Sequence, residues 1–99
     1  MNIVAVTACP TGIAHTYMAA AQLEKTAKEL GHKIKVETQG AMGIENELTV
    51  DDIKNADIAI FAVDIEVEER HRFNGIKVVE VSAQLAIKDP KAIFAKIAV

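Results

Sequence analysis

Tryptophan is absent from this 99-residue chain, and tyrosine and phenylalanine together make up only 4% of it. Flat aromatic platforms for stacking bases are therefore missing. Positive charge is also thin: eleven lysines and arginines face fourteen acids, for a formal net charge of −3, and no basic run is long enough to track a phosphate backbone. Nucleic acid is excluded as an expected partner. No apolar run approaches the roughly 20 residues that span a bilayer, and no basic segment precedes an apolar one at the start of the chain. The expectation is a cytoplasmic protein. Cysteine occurs once, at Cys9, so no internal disulfide can form. Without His, Cys or carboxylate residues at ligand spacing around it, that thiol is no zinc site either.

What the chain has in abundance is small aliphatic residues. Hydrophobic side chains make up 51% of it, mostly Ala, Val, Ile and Leu, as in tightly layered α/β proteins. The length fits one domain over 1–99, able to bury about two thirds of its unfolded surface. IVAVTA at 3–8 reads as a strand covered on both faces. Residues 15–30 have helical period, with Met18, Ala19, Leu23, Ala27 and Leu30 facing inward and Gly31 as the stop. IKVET at 34–38 reads as a second strand, and QGAMGIENE at 39–47 as a glycine-bearing loop whose GAMG portion is a candidate rim for a nearby site, with Met42 as exposed docking area. Thr49 and Asp52 have the spacing of a capping box and predict a short helix through Asn55.

DIAIFAVD at 57–64 and KVVEVS at 77–82 are the third and fourth strands. Between them, IEVEERHRFN at 65–74 reads as a loop or short helix, with Glu66, Glu68 and Glu69 a solvated face. Arg70, His71 and Arg72 are candidates to offset that charge or to engage an acidic partner. After Asp89 and Pro90, KAIFAKIA predicts a helix with Ile93, Phe94 and Ile97 inward. This alternation predicts a single three-layer α/β domain, a four-stranded parallel sheet with right-handed crossovers and helices on both faces. Ligands bind such sheets beyond the carboxyl ends of the strands, where Cys9 lies.

The stretch TACPTGIAHTY carries the chemistry. A loop between strand and helix gathers backbone N–H groups in one concavity, and the helix N-terminus adds partial positive charge, so an anion is favoured there. A thiolate is such an anion, although a lone cysteine can equally be a small buried hydrophobe. Gly12 lets the backbone approach a bound group, and Pro10 removes one N–H while stiffening the turn. The hydroxyls of Thr11 and Thr16 are candidate donors to the thiolate or to phosphate oxygens, and Ile13 and Ala14 contribute backbone. His15 either contacts the phosphoryl group or tunes the thiolate, or it merely fills the helix start.

Five residues separate Cys9 from His15, giving C-x5-H-T. This is similar to the C-x5-R-[ST] loop of the low-molecular-weight tyrosine phosphatases, but the arginine that clamps the equatorial oxygens is absent. A phosphatase also needs an acid, and Asp64 is the nearest candidate. A loop that accepts phosphate and hydrolyses it poorly suits a carrier. Neither GxxxxGK nor GxGxxG is present, so no nucleotide, metal or other cofactor is called for.

VTACPTGIAHTYMAAAQLEK resembles the active-site segment of the enzyme IIB components of the fructose family of the bacterial phosphoenolpyruvate-dependent sugar phosphotransferase system. The likeness continues through GHKIKVETQGAMGIENELT at 31–49, Ala56 and Asp57, and Arg72 and Phe73 before Gly75. It implies a phosphotransferase in which Cys9 takes a phosphoryl group from a histidine of a IIA protein and passes it to a fructose-like sugar held by a membrane IIC protein. Pro10, Thr11, Gly12, Ile13, Ala14, His15 and Thr16 would cradle the group. It also implies a sheet of order 2-1-3-4 and membrane association through IIC; a monomer is the expected state, because a carrier must meet two partners through the same exposed loop. A phosphatase-like hydrolase and a non-catalytic module binding through 65–74 are the rivals.

Overall fold

The computed structural model describes residues 1–9, 13–40 and 43–97, with backbone alone for 13 and 14. The first strand, β1 (Asn2–Ala8), is apolar on both sides because both sides are covered. Ile3 and Ala5 face one core cluster, while Val4, Val6 and Ala8 face the other. After α1 (Ile13–Glu29) come β2 (Lys33–Gly40), β3 (Gly43–Glu45), α2 (Val50–Lys54) and β4 (Ile58–Val63). A 3-10 turn at Arg70–Phe73, β5 (Val78–Val81), α3 (Ala83–Lys88) and α4 (Pro90–Ile97) complete the chain. The sheet order is β3-β2-β1-β4-β5.

The expected four parallel strands become five in a mixed sheet. β2, β1, β4 and β5 are parallel and lie in the expected order, and β3 adds an antiparallel edge beside β2. The segment read as a loop at 39–47 is thus the end of β2 followed by a hairpin. Gly40 pairs with Gly43, whose φ of +89° suits a glycine. The GAMG rim itself, with Met42, falls partly outside the described residues. The Tyr17 hydroxyl donates to Glu45, tying α1 to this hairpin, and that bond pushes the phenol's pKa up.

Alanines let α1 lie close on the sheet: Ala19, Ala20, Leu23 and Ala27 join one core with Ile58, Ile60, Ile93, Phe94 and Ile97. Ile93, Phe94 and Ile97 are inward as expected. Met18 and Leu30 are not, at 49% exposure each. Their places on the buried stripe are taken by Ala20 and Thr26, and Leu30 already lies in the turn that ends the helix. That turn is a Schellman motif. His32 N–H donates to Ala27 O at 2.8 Å and Gly31 N–H to Lys28 O at 3.2 Å, with Gly31 at φ +79°.

The second face is covered by α2 and the 3-10 turn. Leu48, Ile53, Val67 and Phe73 pack on Phe61 and Val63, and Phe61 and Phe73 meet edge to face with centroids 4.8 Å apart. The predicted capping box is present: Thr49 Oγ1 accepts from Asp52 N–H at 3.1 Å, and Asp52 Oδ2 accepts from Thr49 N–H at 2.9 Å. Lys35 Nζ donates to the same Oδ2 at 2.7 Å. Lys35 first, then the Thr49 N–H, pull the Asp52 carboxyl down to about 2 from its ordinary 3.8. Because the folded value is the lower one, the stabilisation is complete above pH 3.8 and is lost as pH falls through about 2. Thermal melts across that range are expected to bring the native chain toward Asp52→Asn, and Thr49→Ala is expected to cost about 1 kcal/mol at neutral pH.

Candidate functional site

Strand order reverses around β1: the chain leaves it for β2 on one side and returns to β4 on the other. In an open α/β sheet, the crevice at such a reversal is where ligands bind. Cys9 follows the last residue of β1, and Ala8 pairs with Val63, the last of β4. Asp64 N–H donates to Ala8 O at 3.0 Å, fixing the two strand ends side by side. Cys9 is only 8% exposed, yet its thiol lines an open cavity.

The backbone of Ile13 and Ala14 opens α1, so the first N–H groups of a 17-residue helix follow directly on the cysteine loop. Pro10, Thr11 and Gly12 lie outside the described residues, as do the side chains of Ile13 and Ala14. His15 brings Nδ1 to 3.9 Å from Cys9 Sγ. Thr16 is buried, and its Oγ1 has no hydrogen-bond partner among the described residues. Its carbonyl accepts from Thr7 Oγ1 at 3.1 Å, which pins the first turn of α1 to β1. Thr7 is a positioning residue the sequence reading did not single out; its signal was a hydroxyl in an otherwise apolar strand.

The cavity beside Cys9 measures about 310 Å³. His15 and Met18 of α1 form one side, and Asp64 contributes from the end of β4. The opposite wall is α3, through Ala83, Gln84, Ile87 and Lys88. This wall was missed in the sequence, where 83–88 was not recognised as a helix. The available signal was Ser82, whose Oγ accepts from Leu85 N–H at 3.1 Å as an N-cap, followed by a short apolar run closed at Pro90. Asp64, considered above as a phosphatase acid, accepts from Ala83 N–H through Oδ1 at 3.3 Å and so holds α3 against the strand ends.

Arg70 and Arg72, the chain's two arginines, are both engaged away from the cavity. Arg70 Nη1 donates to Glu80 Oε1 at 3.1 Å. Arg72 meets fully buried Glu37 in a fork, Nη1 to Oε1 at 2.7 Å and Nη2 to Oε2 at 2.9 Å. Glu37 also accepts from Leu48 N–H at 2.9 Å and Gln39 Nε2 at 2.7 Å. Burial drives the Glu37 carboxyl's pKa up, but Arg72, Leu48 N–H and Gln39 together outweigh that and hold it below its ordinary value. The expectation that Arg72 offsets surface acids or awaits an acidic partner is corrected: a buried carboxylate takes its guanidinium. Gln39 continues the clasp, with its amide donating to Glu68 O at 3.0 Å and accepting from Glu68 N–H at 2.8 Å.

The site therefore pairs a thiol and an imidazole with an anion-favouring helix start, and lacks the guanidinium of a phosphatase among its described lining. No helix among the described residues is long and apolar enough to cross a membrane.

Known proteins agree with one another on what carries this arrangement. A family described as "PTS system, Lactose/Cellobiose specific IIB subunit" matches residues 4–96. The PTS fructose-like EIIB component 2 of Escherichia coli (strain K12) is 52% identical over 96 residues, which cover 97% of this chain and 91% of that protein. The 2-O-alpha-mannosyl-D-glycerate-specific EIIABC component of the same organism is 50% identical over 92 residues, 93% of this chain but only 14% of that protein. A solved domain of the fructose-specific IIABC component from Borrelia burgdorferi superposes with a TM-score of 0.90 at 51% identity, over 95% of this chain and 89% of that domain. Likeness of this extent, in sequence and in backbone alike, leaves one conclusion: the chain belongs to the IIB family of sugar phosphotransferase systems, beside its fructose-like members.

Proposed function

We propose that the chain, as one EIIB domain over 1–99, is a phosphoryl carrier in which Cys9 is the covalent acceptor. In the first step Cys9 Sγ attacks the phosphorus of a phosphohistidine on a IIA protein. The S–P bond forms as the N–P bond breaks, and the imidazole leaves with the electron pair. In the second, a sugar hydroxyl on a membrane IIC protein attacks the same phosphorus. The O–P bond forms, sulfur leaves as thiolate, and the hydroxyl proton passes to a base. Both steps depend on positioning and on electrostatic stabilisation of the transferring group more than on covalent chemistry.

One observation carries this reading above the others: the nearly buried thiol of Cys9 opens on a cavity at the head of a long helix while both arginines are held elsewhere by carboxylates. An anion is favoured at that helix start, and no guanidinium is at hand to drive hydrolysis. The phosphatase reading is correspondingly weak. Backbone N–H groups over 11–15 are assigned the cradle, Pro10 and Gly12 its shape, and Thr11, His15 and Thr16 its polar side chains.

The IIC partnership is supported by relatives whose names join B with C, and the IIA donor by names that join all three. A fructose-like sugar is the assigned acceptor, and a monomer the assigned state. Relatives named for mannosylglycerate and for fructose are equally similar to this chain, so sugar choice is assigned to the membrane partner.

A chase experiment tests the carrier role. Chain loaded with labelled phosphoryl groups is mixed with membranes containing its IIC protein, with and without sugar. The label is expected on the sugar, and only when sugar is present. Release as inorganic phosphate at the same rate in both arms would establish the hydrolase instead.

A further inference from the structure

A phosphoryl group on Cys9 brings close to two negative charges into a cavity that contains one carboxylate, Asp64, and that both arginines avoid. Backbone N–H groups and the helix start meet part of that charge, and a cation at the open side of the cavity would meet more of it. Among the described residues Lys88 is the one lysine that lines the cavity, and it forms no ion pair with any of them. Gln84 lies one turn earlier on the same face of α3, across from His15 and Met18. Asp64 holds this helix in place through Ala83 N–H, which presents the 84–88 face to the thiol.

On these grounds, and resting on the assignment of Cys9 as phosphoryl acceptor, we propose that Lys88 is the cationic partner of the phosphoryl group, supplying from α3 the positive charge that a phosphatase takes from the arginine of its loop. A lysine is a mobile point charge with rotatable donors, whereas an arginine is a rigid two-pronged clamp. A single ammonium at the open side of the site stabilises the bound dianion without organising the in-line geometry that hydrolysis demands. The group is held, yet can leave with a sugar.

The test is a phosphorus NMR titration of the phosphorylated chain, read as the ionisation of the phosphoryl group, for the native protein, Lys88→Arg, Lys88→Gln and Lys88→Glu. A nearby cation favours the dianion, so Lys88→Gln is expected to raise that ionisation by about half a unit to one unit and Lys88→Glu by more. Lys88→Arg is expected to stay with the native protein. The native value is expected to drift upward with added salt, because an ammonium at the rim is screened, and that drift is expected to shrink in Lys88→Gln. Lys88 itself is exposed, at the last position of α3, so circular dichroism melts should be alike across the set.

Identical titrations for native and Lys88→Gln would overturn the role of Lys88 while leaving phosphocysteine standing. Absence of any phosphorylated native species would overturn the carrier assignment and this inference with it. The two failures are thus distinguishable within one experiment.

Discussion

Arg72→Ala is expected to lower the stability of the domain by about 3–5 kcal/mol, a large part of the about 5–15 kcal/mol available to a domain of ordinary stability. Glu37 is 0% exposed, and Arg72 supplies two of its hydrogen bonds. Removing the guanidinium leaves a carboxylate that water cannot reach. The guanidinium also serves the chain around it, donating to Glu69 O at 2.9 Å, Glu68 O at 3.2 Å and Leu48 O at 3.3 Å. These bonds join the end of β2, the approach to α2 and the turn after β4, so the loss extends across one face of the sheet.

The pH dependence separates this account from a simple packing loss. In the native chain Glu37 is held below its ordinary 4.5, so its contribution is complete above that pH and disappears as pH falls through the lower folded value. In Arg72→Ala burial dominates, the folded pKa lies above the unfolded one, and the variant should gain stability relative to the native chain as the solution is acidified. Urea denaturation at several pH values measures both slopes. Glu37→Leu combined with Arg72→Met is expected to recover part of the loss, because an apolar pair leaves no buried charge although Leu48 N–H and the carbonyls of Leu48, Glu68 and Glu69 lose these partners. If Arg72→Ala unfolds within about 1 kcal/mol of the native chain at neutral pH, the clasp is not the support described here.

Cys9→Ala is expected to lower phosphoryl transfer to sugar by at least about a thousandfold while costing about 1 kcal/mol of stability or less. The asymmetry follows from its position. Cys9 sits past the end of β1 at the edge of a cavity, and an alanine there keeps the backbone and loses one sulfur atom. The transferring group, by contrast, loses the atom it bonds to. His15 Nδ1, at 3.9 Å from that sulfur, is the nucleophile most able to take over. Residual transfer by Cys9→Ala that vanishes in the double substitution with His15→Ala would assign the phosphoryl group to the imidazole. Rates from a labelled IIA donor decide between them.

Elements specified by local pattern were legible in the sequence. The apolar runs of β1 and β4 required cover on both faces, Gly31 closed α1, and Thr49 with Asp52 opened α2. β3 was missed because three residues paired to a glycine hairpin carry too little period to stand out from a loop. α3 was missed because six residues between a strand and a proline satisfy either period. The position of Cys9, between the end of β1 and the start of α1, was legible from the strand-like and helix-like runs on either side of it.

The Gln84 and Lys88 wall was not legible, since it arrives from some 75 residues along the chain and is placed there by the packing of α3 on α1 and by the Asp64 bond to Ala83 N–H. Arg72 was misread for the same reason. Its partner is 35 residues away on β2, and nothing in EERHRF tells a paired arginine from a solvated one. Surface or buried, an acid reads alike in sequence. Sugar identity left no trace either, as relatives of equal likeness are named for different sugars.

The central claim is that phosphoryl groups pass through the sulfur of Cys9. Intact-mass measurement of the native chain and Cys9→Ala after exposure to a phosphorylated IIA protein, with phosphorus NMR of the native product, tests it most directly. One added phosphoryl group on the native chain, a resonance of phosphorus bound to sulfur, and no addition to Cys9→Ala are the predicted results. Unchanged native mass, or equal labelling of Cys9→Ala, would contradict it.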